Sequence, residues 1–255
     1  MEYDLLSDVY ELWSTGDPAY YPSHGFYVDI ASKVNGLIAE IGVGTGRIAL
    51  DIARQGKQIA GIDISPKMLE IFQSKAKIQG VQDNIQAIHA SAANFVLPEK
   101  AKLIYFPFRS IGHLLTEEER KTALLNIKEQ LSSSGLLVFD HYIFDESWAK
   151  IHDRIPRLMY SGNDHIGNKI YIWDTYLYDY QKQIMNCTIT IESINKNCEV
   201  TSRKHCPLTF SWINIHQMEK MLKETGYKVI KLLGSFDGRE FNKRSTEQIW
   251  IVSPK

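Results

Sequence analysis

Glu40-Ile41-Gly42-Val43-Gly44-Thr45-Gly46-Arg47 is the stretch on which the reading of this chain turns. It follows a short apolar strand, Gly36 to Ile41. It opens a helix that has Ile48, Ala49, Ile52 and Ala53 on its inner face. Glycines at such a turn let the backbone bend tightly and let a ligand lie against it. A loop at the carboxyl end of the first strand of an open α/β sheet is where the ligand crevice forms. Asp63 lies 21 residues after Gly42, at the end of the second strand. A carboxylate there can accept both hydroxyls of a ribose.

Two ribose-bearing cofactors suit such an acid. Dinucleotide sites prefer GxGxxG, whose third glycine lets helix and sheet pack closely. Here the third glycine comes one residue early, and Arg47 fills the dinucleotide position. Glu40 stands two residues before the first glycine, where a pyrophosphate would be repelled and a cationic group attracted. S-adenosylmethionine carries a sulfonium and an α-ammonium and no phosphate, so the loop favours it over NAD(P). A glycine-rich turn without a ligand is the bland alternative.

The same alternation runs outward from this loop. Gly56 stops the first helix, and Lys57 to Ile62 forms the next strand. Ser65-Pro66 opens a helix with Ser at the N-cap and Pro at the first helical position; Met68, Ile71 and Phe72 form its buried stripe. Asn84 to Ile88 and Leu103 to Phe106 read as the third and fourth strands. Thr116 to Glu119 is a capping box that starts a helix with Leu124, Ile127 and Leu131 at core spacing. Ser134-Gly135 reads as a turn into a fifth strand, Leu136 to Phe139, followed by Asp140-His141.

Residues 145–212 break the rhythm with three longer strands, Ile170 to Tyr178, Ile184 to Ile194 and Val200 to Phe210. Asn195-Lys196-Asn197 turns between the last two. A helix marked by Met218, Met221 and Leu222 stops at Gly226, and Tyr227 to Leu233 and Glu247 to Val252 are the final strands. The fold expected is α/β: a seven-stranded, mostly parallel, Rossmann-like sheet with helices on both faces, plus an antiparallel β insertion after the fifth strand. The expected domains are an N-terminal helical cap (1–35), a core (36–144 and 213–255) and the insertion (145–212), serving as substrate cover or dimer interface.

Composition narrows the function classes. The 255 residues are 44% hydrophobic and 23% charged, as in an average globular chain. Lys and Arg number 29 against 30 for Asp and Glu, so no global basic excess points to nucleic acid or an anionic membrane. The three cysteines, Cys187, Cys198 and Cys206, fit no CxxC pair and read as reduced thiols in a cytoplasmic protein. Zinc would need a fourth ligand, for which His205 is the nominal candidate. The opening Met1-Glu2-Tyr3-Asp4 lacks the basic and apolar regions of a signal peptide, and no stretch reaches the roughly 18 apolar residues of a membrane span.

The stretch from Glu40 to Leu69, EIGVGTGRIALDIARQGKQIAGIDISPKML, resembles motif I and the following acidic motif of class I S-adenosylmethionine-dependent methyltransferases. The resemblance covers residues 36–141 well and 214–253 by topology. Phe108-Arg109-Ser110-Ile111-Gly112-His113-Leu114 resembles a segment of bacterial small-molecule methyltransferases, including sugar-amine N,N-dimethyltransferases, and the opening EYDLLSDVYELW is similar to their first helix. The resemblance implies cofactor contacts from Glu40, Gly42, Gly44, Gly46, Asp63, Ile64, Met68, Ser91, Ala92 and Phe106. S-adenosylhomocysteine is the product it implies. One departure stands out: Ser91 occupies the place of an acid that binds the adenine amino group, and Asn94 is the residue nearby that could compensate.

For catalysis the resemblance implies a substrate-proximal His113, with capping or packing beside the Thr116 helix as the alternative. His141 directly follows the fifth strand at the same edge. Tyr3 and Tyr10 belong to a segment that folds over the cofactor in the resembling enzymes; phenols favour a nearby cation, and an ordinary amphipathic helix is the other reading. Tyr21 and Tyr27 carry the same ambiguity on the substrate side. Arg109 could hold a substrate carboxylate or phosphate with its planar fork, or form a structural ion pair.

The fourth-strand loop, Tyr105-Phe106-Pro107-Phe108, lacks the polar residue and double proline of amino-methylating nucleic-acid enzymes, which argues against a nucleic acid. Asp140 could serve a magnesium ion, but the end of the fourth strand is apolar, so no metal is expected. The expected partner is a small molecule or short peptide accepting at an amine nitrogen. An oxygen acceptor, a non-catalytic S-adenosylmethionine-binding protein and an NAD(P)-dependent oxidoreductase are the alternatives. A homodimer through the insertion and no membrane complete the expectation.

Overall fold

The computed structural model describes residues 2–165 and 167–255. A 3-10 turn (Glu2–Leu5) leads into α1 (Tyr10–Ser14) and α2 (Tyr20–Ser32). Then come β1 (Ile38–Ile41), α3 (Ala49–Arg54), β2 (Ile59–Asp63), α4 (Pro66–Ile78), a 3-10 turn (Gln82–Asn84), β3 (Ile85–His89) and β4 (Ala101–Phe106). A 3-10 turn (Ser110–His113), α5 (Glu117–Gln130) and β5 (Leu131–Tyr142) come next. The remainder is α6 (Glu146–His152), β6 (Arg157–Asn163), β7 (Lys169–Asp179), β8 (Ile184–Ile194), β9 (Val200–Ser211), α7 (Ile215–Glu224), β10 (Tyr227–Leu233) and β11 (Glu247–Pro254).

The chain divides into two compact units. The larger, Pro22–Phe144 with Ile213–Lys255, holds a seven-stranded sheet in the order β10-β11-β5-β4-β1-β2-β3. β1 to β5 pair in parallel, and β11 runs antiparallel to both β5 and β10. This is the Rossmann-like sheet expected. Side chains alternate across it because a strand has period two. Ile104 and Phe106 face a cluster with Leu124 and Ile127 of α5 and Met218, Met221 and Leu222 of α7. Leu103 and Tyr105 face the opposite cluster, with Tyr27 of α2, Ala49 and Ile52 of α3, and Leu69 and Phe72 of α4. β1 has β2 on one side and β4 on the other, so the strand order reverses here, and the carboxyl ends of β1 and β4 mark the switch point where an open α/β sheet takes its ligand.

Local chemistry explains the element ends. Ser65 Oγ accepts the Met68 N–H at 3.1 Å, with Pro66 at the first helical position of α4. Thr116 and Glu119 form the reciprocal capping box of α5. Two expectations change. Leu131 does not belong to α5; it is the first residue of β5, which runs unbroken through Ser134 and Gly135 where a turn was expected. The pairing of β4 with β5 shifts register between Ala101 and Leu103, which absorbs the irregularity there.

The smaller unit comprises the chain up to Tyr21 and Asp145–Trp212. Its sheet has four antiparallel strands, β6-β7-β8-β9, one more than expected. Arg157–Asn163 escaped the sequence reading because Ser161 and Gly162 dilute its apolar pattern. Leu6 and Trp13 close one face over Ile170, Ile172, Cys187, Ile189, Cys206 and Leu208. Arg157 grips the fully buried Asp174 with two bonds, of 2.9 and 2.8 Å. The Asn195 side chain accepts the N–H groups of Asn197 and Glu199 and so shapes the turn between β8 and β9. Cys198 sits in that turn, exposed, at φ 64°, whereas Cys187 and Cys206 are buried. Among the described residues, no helix is long and apolar enough to cross a membrane.

Candidate active site

The site begins where β1 stops. The N–H groups of Gly42 and Val43 both donate to the Ile62 carbonyl, at 2.8 and 3.0 Å, and the chain turns away from the sheet. Gly44 (φ 54°) and Gly46 (φ 87°) lie in the left-handed region that side chains resist. Gly46 has a second constraint: a Cβ there would run into the Phe72 ring of α4. Its carbonyl accepts from Leu50 and starts the helical bonding of α3. At the end of β2, Asp63 Oδ2 accepts the Gly44 N–H and Oδ1 the Ser65 N–H, both at 2.8 Å. One carboxylate thus props the glycine loop and the start of α4. The side chain is half-buried.

Glu40 lies beneath the loop at 2% exposure and accepts the Tyr105 hydroxyl at 2.7 Å. Burial pushes its carboxyl up to about 8, offset only in part by the Tyr105 bond and the nearby Arg47 charge. The Tyr27 ring stacks on Tyr105, with centroids 5.2 Å apart.

The flank of the crevice is less polar. Ile64 is half exposed, and its carbonyl lies 3.1 Å from His89 Nε2. Met68, Ala92 and Phe106 are buried. Ser91 and Asn94 close a turn together. Asn94 Oδ1 accepts the Ser91 hydroxyl at 2.9 Å and the Ser91 N–H at 3.0 Å. Asn94 therefore spends its carbonyl on the turn.

After β4 the chain makes a second unusual turn. Phe108 (φ 52°) and Arg109 (φ 63°) are both left-handed without being glycine. Asp140, at the end of β5, is fully buried and faces them. Its Oδ1 accepts the Phe108 N–H at 2.8 Å and its Oδ2 the Arg109 N–H at 2.9 Å. The Tyr27 hydroxyl donates to Oδ1 at 2.5 Å. Burial raises the Asp140 carboxyl, opposed by these donors and by the Arg109 charge. The Arg109 guanidinium pairs with Glu247 of β11 at 2.6 Å and lies over the Tyr142 ring. Arg109 therefore forms the ion pair that was one of its two expected roles.

His113 ends the 3-10 turn after this bend and is half-buried. His141 is buried beside Tyr142, opposite Gln248 of β11. Tyr27, expected at a substrate, is instead enclosed at 0% exposure, because its ring packs on Tyr105 and its hydroxyl serves Asp140. The larger unit thus brings together Glu40, the glycines, Asp63, Arg109, His113 and His141 on its strand ends. Tyr3, Tyr10 and Tyr21 belong to the smaller unit. Tyr3 and Tyr10 meet edge to face at 5.8 Å, and Tyr21 is 70% exposed. The sequence reading missed Tyr105, Glu247 and the use of Asp140 as a hydrogen-bond hub. The available signal was an acid at the end of an apolar strand, which Asp140 shares with Asp63.

The family described as Methyltransferase domain matches residues 38–135, the stretch from β1 into β5. An uncharacterized methyltransferase of Oceanobacillus iheyensis is 30% identical over 158 residues, covering 56% of this chain and 70% of that protein. The chain belongs to the S-adenosylmethionine-dependent methyltransferases. Two solved structures share the fold of this methyltransferase across nearly its whole length. The CcbJ methyltransferase from Streptomyces caelestis superposes with a TM-score of 0.81 at 17% identity, covering 99% of this chain and 97% of that one. The sugar N-methyltransferase KedS8 from Streptoalloteichus sp. gives a TM-score of 0.72 at 13% identity, covering 95% and 92%. The similarity to both extends through the four-stranded sheet as well as the methyltransferase core.

Proposed function

We propose that this methyltransferase moves a methyl group to an amine nitrogen of a small molecule or short peptide. S-adenosylmethionine, when bound, supplies a methyl on a positively charged sulfur. On this reading Asp63 takes the ribose hydroxyls with its carboxylate oxygens, and the left-handed glycines leave room for the ligand against the backbone. Glu40 meets a cationic group. A buried carboxyl held mostly protonated gains a charge partner when a cation arrives, which suits a ligand bearing an ammonium. Ile64, Met68, Ser91, Ala92 and Phe106 line the nucleoside side.

The observation that carries the nitrogen preference is the engagement of Asp140. Its carboxylate, at the end of β5, is spent on Tyr27, Phe108 and Arg109. A phenol or alcohol benefits from a strong base during transfer, whereas an amine that arrives neutral attacks without one. The half-buried His113 then orients the acceptor and takes up a proton afterwards. The whole-chain likeness to a sugar N-methyltransferase supports the same reading.

The test is calorimetric binding of S-adenosylhomocysteine beside NADH and NADPH, followed by a screen of amines, amino sugars, phenols and alcohols with S-adenosylmethionine. Micromolar binding of the thioether alone and methylated amine products are expected. Methylation of oxygen only would overturn the nitrogen assignment, and binding without turnover of any acceptor would favour a non-catalytic role. His113→Phe should lower kcat by roughly a hundredfold, at the low end for acid–base groups, with S-adenosylhomocysteine affinity retained. An unchanged kcat would remove His113 from the mechanism.

A further inference from the structure

Two consecutive left-handed residues with large side chains do not hold themselves in place. At Phe108 and Arg109 the hold comes from Asp140. One carboxylate spans both N–H groups, one oxygen to each, and Tyr27 steadies it from α2. The four groups come from three distant parts of the chain, so this contact sets the path of the β4 connection relative to β5 and α2.

The segment beyond the bend is short and stiff. The Pro107 carbonyl accepts the Ser110 N–H at 3.1 Å and the Ser110 hydroxyl at 2.6 Å. The Arg109 carbonyl accepts the Gly112 N–H at 2.8 Å. These bonds tie Ser110 and Gly112 back to Pro107 and Arg109, so the direction of residues 107–113 is set where Phe108 and Arg109 turn. That piece touches the glycine loop twice. The Arg47 guanidinium lies 5.1 Å from the centre of the Phe108 ring. Ser110 faces Gly42 so closely that a Cβ on Gly42 would come within 3.3 Å of Ser110 Cβ and Oγ. The far end of the piece is His113.

We propose that Asp140 and Tyr27 are a positioning pair for methyl transfer: they fix the Phe108–Arg109 bend and through it set Ser110 and His113 relative to the glycine loop. The link to transfer rests on the reading that His113 meets the acceptor. The mechanical link from Asp140 to His113 does not need that reading. A purely structural Asp140 would stabilise the fold and leave the environment of His113 unchanged.

The experiment uses the full chain saturated with S-adenosylhomocysteine. The His113 ring signal is followed by carbon–proton NMR, assigned through His113→Gln, and amide exchange is followed at Phe108 and Arg109. Asp140→Asn keeps the size but turns an amide NH2 toward one of the two N–H donors. Tyr27→Phe keeps the ring on Tyr105 and removes one bond of three. Asp140→Asn should shift or broaden the His113 signal and speed exchange at both amides by about tenfold or more. Affinity for S-adenosylhomocysteine should change by less than about threefold. Tyr27→Phe should do the same to a smaller degree, and it decides alone if Asp140→Asn does not fold. With an acceptor from the screen, kcat should fall by up to about a hundredfold, the effect of a misplacement near 1 Å, at unchanged cofactor affinity. A His113 signal unmoved in the folded variants overturns the proposal, as does thioether affinity falling in step with thermal stability. Failure to find an amine acceptor would strike the proposed function alone, since the ring and exchange readings do not involve it.

Discussion

At the carboxyl end of β1 the left-handed positions are filled by glycines, Gly42, Gly44 and Gly46; at the end of β4 they are filled by Phe108 and Arg109. The glycines accept their conformation without steric strain and are held from the neighbouring strand, by the Ile62 carbonyl and by Asp63, 19 residues beyond Gly44. Phe108 and Arg109 rely on a carboxylate more than 30 residues away and on a phenol 113 residues from that carboxylate. The first loop is a device of the local chain. The second exists only after the sheet has assembled. A mutation in the first should act on the ligand that lies there, and a mutation in the second should act through whatever the bend carries.

The sharpest way to break this contrast is to titrate the acid beneath the glycine loop. Glu40 rises from 4.5 to about 8 in the folded chain, chiefly through burial. Between those pH values the folded chain holds a proton that the unfolded chain has released, so stability falls as pH rises. The Glu40 contribution is fully present below about pH 4.5 and is lost as pH rises through about 8. Glu40→Gln cannot ionise and escapes the loss. Urea unfolding of the ligand-free chains should give similar stabilities near pH 4.5. By about pH 8.5 the variant should be ahead by up to about 5 kcal/mol. Parallel curves would mean that Glu40 is solvated in the folded chain.

Next in size is the ribose acid. Asp63→Ala removes a charged acceptor and the prop under Gly44, and should weaken S-adenosylhomocysteine by about a hundredfold or more, read by calorimetry. A change below about threefold would place the ribose elsewhere. The smallest effect tests the local end of the scale. Thr116→Ala breaks the capping box of α5 and should cost about 1 kcal/mol in urea unfolding, with thioether affinity unchanged. A larger loss, or any loss of affinity, would show that α5 is coupled to the site more tightly than a locally encoded helix should be.

The legible parts of the molecule obey the same divide. Ser65-Pro66, the Thr116–Glu119 box, Gly56 and the Asn195 turn each encode a backbone geometry within a few residues, and each has its expected form. The alternation of strands and helices, and the pairing of the glycine loop with Asp63, were readable for the same reason. β6 was hidden because its pairing with β7 supplies what its mixed pattern lacks. The start of β5 was hidden because Ser134-Gly135 looks like a turn until β4 pairs beside it. In the site, Asp140 was considered as a metal ligand. Its real partners, two backbone N–H groups and Tyr27, leave no trace in residue type. The expectation for Tyr27 failed through the same blindness, since nothing in Phe26-Tyr27-Val28 announces a phenol that ends on β5.

The turn between β8 and β9 offers a chemical handle. Of the three thiols, burial keeps two protonated, with Cys187 pushed up to about 12 and Cys206 also raised. Cys198 is the exposed one. A maleimide dye or spin label should therefore attach at a single point on the four-stranded sheet, with no engineered cysteine and no removal of the native ones. Paired with a second probe introduced on α4, it would act as a ruler, giving one distance in solution before and after S-adenosylmethionine and an acceptor are added.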